Sequence, residues 1–254
     1  SVMQITIRDI INHLSQIIHD CSASGNKTGY FAALYKRMTA AVLENITAGN
    51  FEDADRMERL DIVFAQRYLK AYSAYFSNNP CSHSWRNVFD ASKDHSLIVL
   101  QHLILGINTH INLDLAIAAA EVAPGDAIHA LRNDFYKINS LISSLIDDIQ
   151  ECLSEVWLPM RILTKIANGH QIPVLNFSID RARDASWANA LLLAYMQENQ
   201  KNMYIAKVDS VVCNLSKKIQ SPGFTLRMML HAIRASEYDD VARTIHLIDT
   251  TVVE

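Results

Sequence analysis

Glycine and proline are scarce in this chain, with 7 and 5 among 254 residues. Sheets and hairpins use both residues at tight turns, so their scarcity favours long helices over strands. Charge of one sign is also lacking, because 27 acidic residues face 23 basic ones and no basic block stands out. The composition therefore argues against a nucleic-acid partner and against a basic patch for an anionic membrane surface.

Cysteine is rare as well, and the four cysteines lie far apart without a Cys-x-x-Cys pair: Cys21, Cys81, Cys152 and Cys213. This spacing excludes a typical structural zinc motif and offers no disulfide framework. The first residues lack a basic region followed by an apolar run, so no secretory signal is visible. We expect reduced, mostly buried thiols and a cytoplasmic protein.

Several catalytic signatures are missing. The chain has no Gly-x-Ser-x-Gly elbow, no Ser-His-Asp ordering, no phosphate-binding loop and no dinucleotide fingerprint, so no nucleotide cofactor is expected. The Glu-x2-His pairs of di-iron bundles are also absent. Any chemistry must therefore come from a less standard arrangement of side chains.

What the chain does have is helical periodicity, since apolar residues recur at a spacing of three to four nearly everywhere. It predicts helices over 6–21, 28–48, 53–77, 94–120, 132–154, 178–201, 203–219, 224–236 and 238–249, with a short turn at 85–92 and a loop or hairpin at 167–178. We expect an all-α fold, in which residues 1–254 form a single-domain, multi-helix bundle around a buried central helix at about 94–120. A C-terminal subdomain from about 203 is the alternative.

The most apolar stretch, residues 97–120, is long enough for the roughly 20 residues that a membrane span needs. Six polar residues interrupt it: Gln101, His102, Asn108, His110, Asn112 and Asp114. These groups would be costly in lipid, so we expect a core helix and no membrane span.

The polar residues of this helix are ordered. At about 100° per residue, His102, Gly106, His110 and Asp114 follow one slowly turning face, and Gln101, Asn108 and Asn112 follow another. His110 and Asp114 are roughly 6 Å apart along the axis and can meet or share an ion, whereas His102 and His110 are roughly 12 Å apart. Gly106 costs a helix about 1 kcal/mol relative to alanine. A close helix crossing or a ligand against bare backbone would offset that cost, so the first face resembles a pocket wall.

Two other groups of residues are candidates for the same pocket. Asp61 begins a largely aromatic helix face that includes Tyr68, and it could be a third metal ligand, a partner of His110 or a helix-start aspartate. Arg183 and Trp187 are four residues apart, so a cation–π pair could line the pocket or simply pack.

The motif "HLILGINTHINLDLAIAAAEVAPG" resembles a bacterial family known as domain of unknown function 5995. The stretches "LDIVFAQRYLKAY", "SWRNVFDAS", "DFYKIN" and "ARDASWANA" add to the resemblance, which covers roughly residues 55–195. It implies an all-helical fold, supplies no activity, and adds weight to five residues at the motif positions: His102, Asn108, His110, Asn112 and Asp114.

A weaker resemblance is to the helical zinc-dependent phospholipase C and nuclease fold, which carries a Gly-x3-His-x3-Asp step. Gly106, His110 and Asp114 fit that step. That family adds a histidine six residues past the aspartate, where this chain has Ala120, and no His-x3-Glu motif follows. Its trinuclear centre therefore cannot be carried over, and at most one ion could be held.

Three functions remain open. The first is a small-molecule enzyme with a largely apolar pocket for a hydrophobic substrate, doing cyclisation, isomerisation, dehydration or hydrolysis. His110 would be the general acid or base, and Asp114 would orient it. His102, Asn108 and Asn112 would position the substrate or polarise a carbonyl, with His102 counted among the catalytic residues.

The second function is a metal-dependent phosphoester hydrolase with a single divalent ion held by His110, Asp114 and Asp61. The third is a non-catalytic helical module that binds a ligand or a partner while the polar residues hold the bundle together. A homodimer is compatible with each of the three.

Overall fold

The structure is a computed structural model that describes residues 4–156 and 179–250. These residues form helices and no strand, which confirms the all-α prediction. A π-helical segment, here called the π segment, interrupts the central helix. The elements in order are α1 Ile7–Ser24, α2 Gly29–Thr47, α3 Ala54–Phe76, α4 His83–Ala91, α5 Val99–Thr109, the π segment His110–Leu115, α6 Ala116–Val122, the 3-10 turn Gly125–Ala127, α7 Ile128–Val156, α8 Ile179–Tyr195, α9 Glu198–Gln220, α10 Phe224–Ser236 and α11 Val241–Thr250.

Local capping chemistry explains several helix ends. Thr6 and Asp9 form a reciprocal capping box at the start of α1, and Gly25 ends that helix in the left-handed region with φ 69°. Asp53 accepts from the backbone N–H of Arg56 at 3.0 Å and so begins α3, close to the predicted start. These ends follow from side chains within a few residues along the chain.

Other boundaries differ from the prediction because their causes are not local. The central helix begins at Val99, not at about 94, and the carboxylate of Glu237 accepts from its first backbone N–H. The short turn at 85–92 is helix α4, whose N-terminus donates from the backbone of His83 and Ser84 to Asp209 of α9. The break predicted near residue 202 lies at Gln197, just before α9.

The central helix, made of α5, the π segment and α6, is enclosed by its neighbours. Helix α5 packs against α2, α4 and α9, the π segment packs against α3, α8 and α9, and α6 packs against α3 and α8. Every residue of α5 is buried. The predicted buried central helix is therefore confirmed, and α9 belongs to the packing around it.

The division of residues 1–254 into one domain stays a prediction, because it includes residues outside the described ranges. The loop or hairpin predicted at 167–178 also lies outside them. Helix α11 packs on α1 and α2, so the C-terminal part of the described chain contacts the N-terminal part.

One helical stretch among the described residues, Val99–Val122, is long and apolar enough to cross a membrane. Its most apolar window is 89% buried inside the protein, as the core helix of a bundle requires.

The four cysteines, all within the described ranges, are thiols without a disulfide, as their spacing predicts. The expectation that they are mostly buried is wrong, since only Cys21 is buried and the other three are partly exposed. Cys81 lies in the connection that precedes α4, and Cys213 follows the buried Val212 on α9, about 100° around the helix from it. Their exposure therefore follows from positions outside the core around α5.

Candidate functional site

The buried centre of the candidate site is the pair formed by His110 and Asp114. Its atoms Nδ1 and Oδ2 lie 2.7 Å apart, and the two residues are 1% and 0% exposed. Both belong to the π segment, where the wider i→i+5 turn replaces the ordinary α-helical turn. The contact predicted from the four-residue spacing is therefore present, within a type of helix that often marks functional sites.

Asp114 is held by two further donors. Arg67 Nε donates to Oδ1 at 2.9 Å, and the indole N–H of Trp85 donates to Oδ2 at 2.8 Å. Burial raises the pKa of Asp114, but the hydrogen bond from His110 and the charge of Arg67 outweigh it, and the pKa lies below its usual value. Asp114 is therefore ionised at neutral pH, with three donors around one buried carboxylate.

His110 is neutral at the same pH, because burial lowers its pKa more than Asp114 raises it. Since Nδ1 faces an ionised carboxylate, Nδ1 carries the proton and Nε2 is a bare acceptor. Among the described residues, Nε2 has no hydrogen-bond partner although it is buried. A carboxylate-oriented imidazole with a bare second nitrogen is the arrangement of a general base.

Aromatic rings surround this imidazole. It stacks on Phe64 at 3.7 Å between ring centroids and meets Tyr35 edge-on at 4.6 Å. Three more rings lie within about 6 Å: Phe31, Tyr68 and Trp85. The environment matches the largely apolar surroundings expected around His110.

The open space beside His110 is small. A cavity of about 20 Å³ touches the imidazole, and its other lining residues are apolar or aromatic: Phe31, Leu34, Tyr35, Met38, Phe64, Ile107, Ile111, Ile142 and Leu145. A single water needs a cavity of roughly 10–15 Å³, so this one holds one water-sized molecule. The pocket expected beside the central helix is closed in this structure.

Gly106 explains part of that closure. A Cβ atom added at this position would collide with the ring of Phe31, so glycine is required for the close approach of α2. The gap expected between His102 and His110 is therefore filled by a phenyl ring, not open to a ligand. Of the two reasons considered for a glycine in this helix, the close crossing applies.

Asp61 is fully buried on α3, and neither carboxylate oxygen has a partner among the described residues. Burial raises its pKa to about 7. Its charge reaches Tyr35, since burial raises the pKa of that hydroxyl and the charges of Asp61 and then Asp114 raise it further. Asp61 lies in the third turn, too far from the helix N-terminus for the helix-start interpretation.

The metal set proposed from the sequence does not form. Within the described ranges, no group of three His, Cys, Asp or Glu side chains could hold an ion, so Asp61 does not complete a set with His110 and Asp114. Both oxygens of Asp114 already accept from Arg67, Trp85 and His110. A cation would have to displace these donors and lie beside the Arg67 guanidinium, so the residues do not fit a metal ion.

His102 is a separate buried group. Burial lowers its pKa to about 3, so it is neutral, and its ring lies edge-on to Tyr30 at 5.6 Å. It borders a cavity of only about 10 Å³. The structure does not bring it together with His110.

The second polar face of the central helix bonds to α9. Asn108 Nδ2 donates to Ser216 Oγ at 3.1 Å, Asn112 Nδ2 donates to Asn108 Oδ1 at 2.8 Å, and Gln101 Nε2 donates to the carbonyl of Ile219 at 3.0 Å. These hydrogen bonds give the buried amide groups partners within the central helix and across its contact with α9. Asn108 and Asn112 therefore lie at a helix interface and not beside the His110 imidazole.

Arg183 and Trp187 lie at the contact between α7 and α8. The Arg183 guanidinium is 4.5 Å from the ring centre of Tyr136, and the buried Trp187 packs against Phe135 at 5.0 Å. Neither residue borders the His110 cavity. The cation–π contact expected for Arg183 is present, but with Tyr136 as its ring.

Sequence reasoning missed Arg67 and Trp85 as members of the network around Asp114. Arg67 lies off the aromatic face of α3, and Trp85 stands only within one of the matching motifs. No spacing rule connects α3, α4 and the π segment, because the contacts join residues 29 and 47 positions apart. A buried carboxylate on the central helix does imply that some cation or donor reaches it.

Two larger hollows open beside Arg67. The α3–α4 hollow has a volume of about 340 Å³ and is lined by α3, the residues before α4, Trp85 and Glu121. The α8–α9 hollow has a volume of about 450 Å³ and is lined by α6, the end of α8 and the start of α9. Both include Arg67 and Glu121, so they meet at these side chains.

Comparison with known proteins gives a family match. A family model described as "Family of unknown function (DUF5995)" matches residues 7–222. No curated protein matches the chain. No solved structure matches it either.

Proposed function

We propose a function for this protein from the geometry of its site. The chain belongs to the family of unknown function DUF5995, and that family supplies no activity to carry over. The protein is a small-molecule enzyme that moves a proton on a hydrophobic substrate, with His110 as general base. The observation that carries this proposal is the imidazole itself. Its Nδ1 is bonded to Asp114 at 2.7 Å, while its buried Nε2 has no partner in the described chain.

A buried nitrogen without a partner is unfavourable, and His110 keeps this nitrogen where its ring borders a cavity. A buried acceptor without a partner costs roughly 1–3 kcal/mol, and native proteins contain few of them. Here the Asp61 carboxylate and the hydroxyl of Tyr68 are in the same condition among the described residues. Other buried polar atoms without a partner are spread over the described chain, so the support for chemistry comes from the position of His110 at a cavity and not from their number.

The imidazole is a titratable group that borders the cavity. Burial lowers the pKa of His110, so it is a neutral base at neutral pH. Burial raises the pKa of Asp61 to about 7, but Asp61 is not among the residues that line the cavity. Nε2 of His110 therefore takes a proton from one substrate atom and returns it to another, as in an isomerisation.

The closed cavity must open for a substrate to reach Nε2. Met38 belongs to the cavity wall, and an unbranched methionine is among the most adaptable side chains in a core. Catalytic contacts often form only in the complex with substrate, so a closed cavity is compatible with a general base at His110. The four thiols are consistent with a cytoplasmic location, which we retain as part of the proposal.

The experiment measures proton exchange directly. Purified protein is incubated in D2O with a panel of hydrophobic ketones, aldehydes and alkenes, and deuterium incorporation is followed by mass spectrometry. General base catalysis contributes about 10²–10⁴-fold, so His110→Asn should lower incorporation by that factor. His231→Asn is the matched control, because His231 is exposed on α10.

The proposal fails if no panel member exchanges, or if exchange continues in His110→Asn at the wild-type rate. Asp114→Asn should also slow exchange, because the asparagine would no longer hold the Nδ1–H tautomer. Circular dichroism and a melting curve of each variant separate loss of the base from loss of the fold.

A second function has a specific observation in its favour, namely that His110 is sealed and only a water-sized cavity touches it. In this alternative the protein is a non-catalytic helical module, and the His110, Asp114, Arg67 and Trp85 network holds three elements together. Folded wild-type protein without exchange on any panel member, combined with a large loss of melting temperature in His110→Asn, supports this alternative.

A further inference from the structure

The α3–α4 hollow is one of two spaces beside Arg67 with the dimensions of a ligand pocket, and it is the one that Trp85 of the Asp114 network also lines. Small-molecule pockets measure roughly 300–1,000 Å³, and this hollow has about 340 Å³ against about 20 Å³ beside His110. Its walls come from one face of α3, from the residues leading into α4 and from Glu121 of α6. Elements that pack around the buried Asp114 therefore also form an open cleft.

Arg67 is the side chain of the α3–α4 hollow that can bind an anion. Its Nε donates to Asp114 Oδ1 at 2.9 Å, and its side chain is 34% exposed. One edge of the guanidinium is thus bound to a buried carboxylate, which itself is held by His110 and Trp85. The two Nη groups donate to no other side chain in the described ranges, and Arg67 lines both the α3–α4 hollow and the α8–α9 hollow. A planar guanidinium oriented in advance suits a carboxylate, which it can bind with two parallel hydrogen bonds.

The surrounding charges limit the ligand to one negative charge. Lys70 is the only other cation in the lining of the hollow, Glu121 is an anion in the same lining, and Asp114 lies directly behind Arg67. A doubly charged phosphate would face two carboxylates with only two cations to compensate. The remaining wall combines apolar and aromatic side chains with three polar or thiol side chains: Val63, Ala71, Ala74, Pro80 and Trp85, with Gln66, Cys81 and Ser82.

We propose that the α3–α4 hollow binds a small monocarboxylate with an apolar body, with the carboxylate on Arg67 and the body against Val63, Ala71 and Ala74. The site is separate from the His110 cavity, so this proposal stands whether or not His110 acts as a base. It goes beyond a hydrophobic substrate, because it assigns a charged group to the ligand and a residue to that charge.

The binding test uses phenylacetate and 1-naphthylacetate as probes, with phenylacetamide as the neutral isostere and phenyl phosphate as the dianion. Dissociation constants are measured by calorimetry on the full chain. The carboxylates should bind at least tenfold more tightly than phenylacetamide, and more tightly than phenyl phosphate. Equal affinity of the amide, tighter binding of the phosphate, or no binding of either carboxylate at millimolar concentrations overturns the proposal.

Variants then locate the site. Ala74→Phe fills the hollow without touching the Asp114 network, so it should abolish carboxylate binding in a folded protein. Lys70→Gln should weaken binding severalfold, whereas Lys217→Gln, exposed at the far end of α9, should leave it unchanged. Arg67→Lys should weaken it at least tenfold, because a lysine cannot make the two parallel bonds. Binding that persists unchanged in Ala74→Phe overturns the assignment of the hollow.

Discussion

The buried carboxylate of Asp61 allows the sharpest test of the energetics around the candidate site. It is 1% exposed, has no hydrogen-bond partner among the described residues, and has its pKa raised by burial to about 7. The perturbation is Asp61→Asn, which keeps the shape of the side chain and removes its titration. If burial of the ionised carboxylate destabilises the fold, the effect of Asp61→Asn on the free energy of unfolding must depend on pH.

The magnitude follows from linkage between protonation and folding. Between the ordinary pKa of 3.8 and the folded value of about 7, the folded protein binds a proton that the unfolded chain has released. The free energy of unfolding therefore falls as pH rises through this window. Each tenfold difference in proton affinity between the folded and unfolded chain is worth about 1.4 kcal/mol, so the full cost at pH 8 is on the order of 4 kcal/mol.

The assay is urea unfolding of wild type and Asp61→Asn at pH 4 and pH 8. The wild type should lose several kcal/mol relative to the variant between these two values, because only the wild type has to ionise the buried group. The other titratable groups are the same in both proteins, so their contribution disappears when the two free energies of unfolding are subtracted. A variant that shifts stability equally at both pH values would refute the account of Asp61 as an unpartnered buried carboxylate.

Three further outcomes follow from other contacts. Trp85→Phe removes the N–H that donates to ionised Asp114, so urea unfolding should show a loss of about 1.5–3 kcal/mol beyond that of Trp187→Phe, a second buried indole. Gly106→Ala places a Cβ against the ring of Phe31 and should cost about 1–3 kcal/mol in the same assay, with part of the loss recovered in a double variant with Phe31→Leu. Burial lowers the pKa of His102 to about 3, so this histidine must stay neutral in the fold, and the free energy of unfolding should fall as pH drops below 6.5. His102→Asn should recover about 3 kcal/mol of the loss between pH 6.5 and pH 4. If the variant loses as much stability as the wild type over this range, the expectation for His102 is wrong.

The helices and the His110–Asp114 contact could be predicted because both depend on neighbours along the chain. Residues four apart meet on any helix, and the apolar spacing of three to four identifies the buried face. The same holds for the start of α3 near residue 53, where Asp53 caps the helix that follows it directly. Where a helix end depends on a distant side chain, as Val99 does on Glu237, the prediction was several residues off.

The pocket was predicted less well. Gly106 was compatible with a ligand or with a close crossing, and only the position of Phe31 on another helix decides between them. The amide side chains of Asn108 and Asn112 are of a type that often binds substrates. In the structure, Asn108 donates to Ser216 of α9 and Asn112 donates to Asn108. Local spacing places such groups on a face and does not say which helix covers that face.

The chain alone determined an all-helical protein with its most polar pair, His110 and Asp114, inside its most apolar helix, since periodicity and one-turn spacing are local properties. Tertiary structure decided what that pair can do. It brought Arg67 and Trp85 to Asp114, closed the space at Gly106 with Phe31, and opened a larger hollow on the other side of Arg67. These contacts join residues far apart in sequence, and their geometry depends on how whole helices pack against one another.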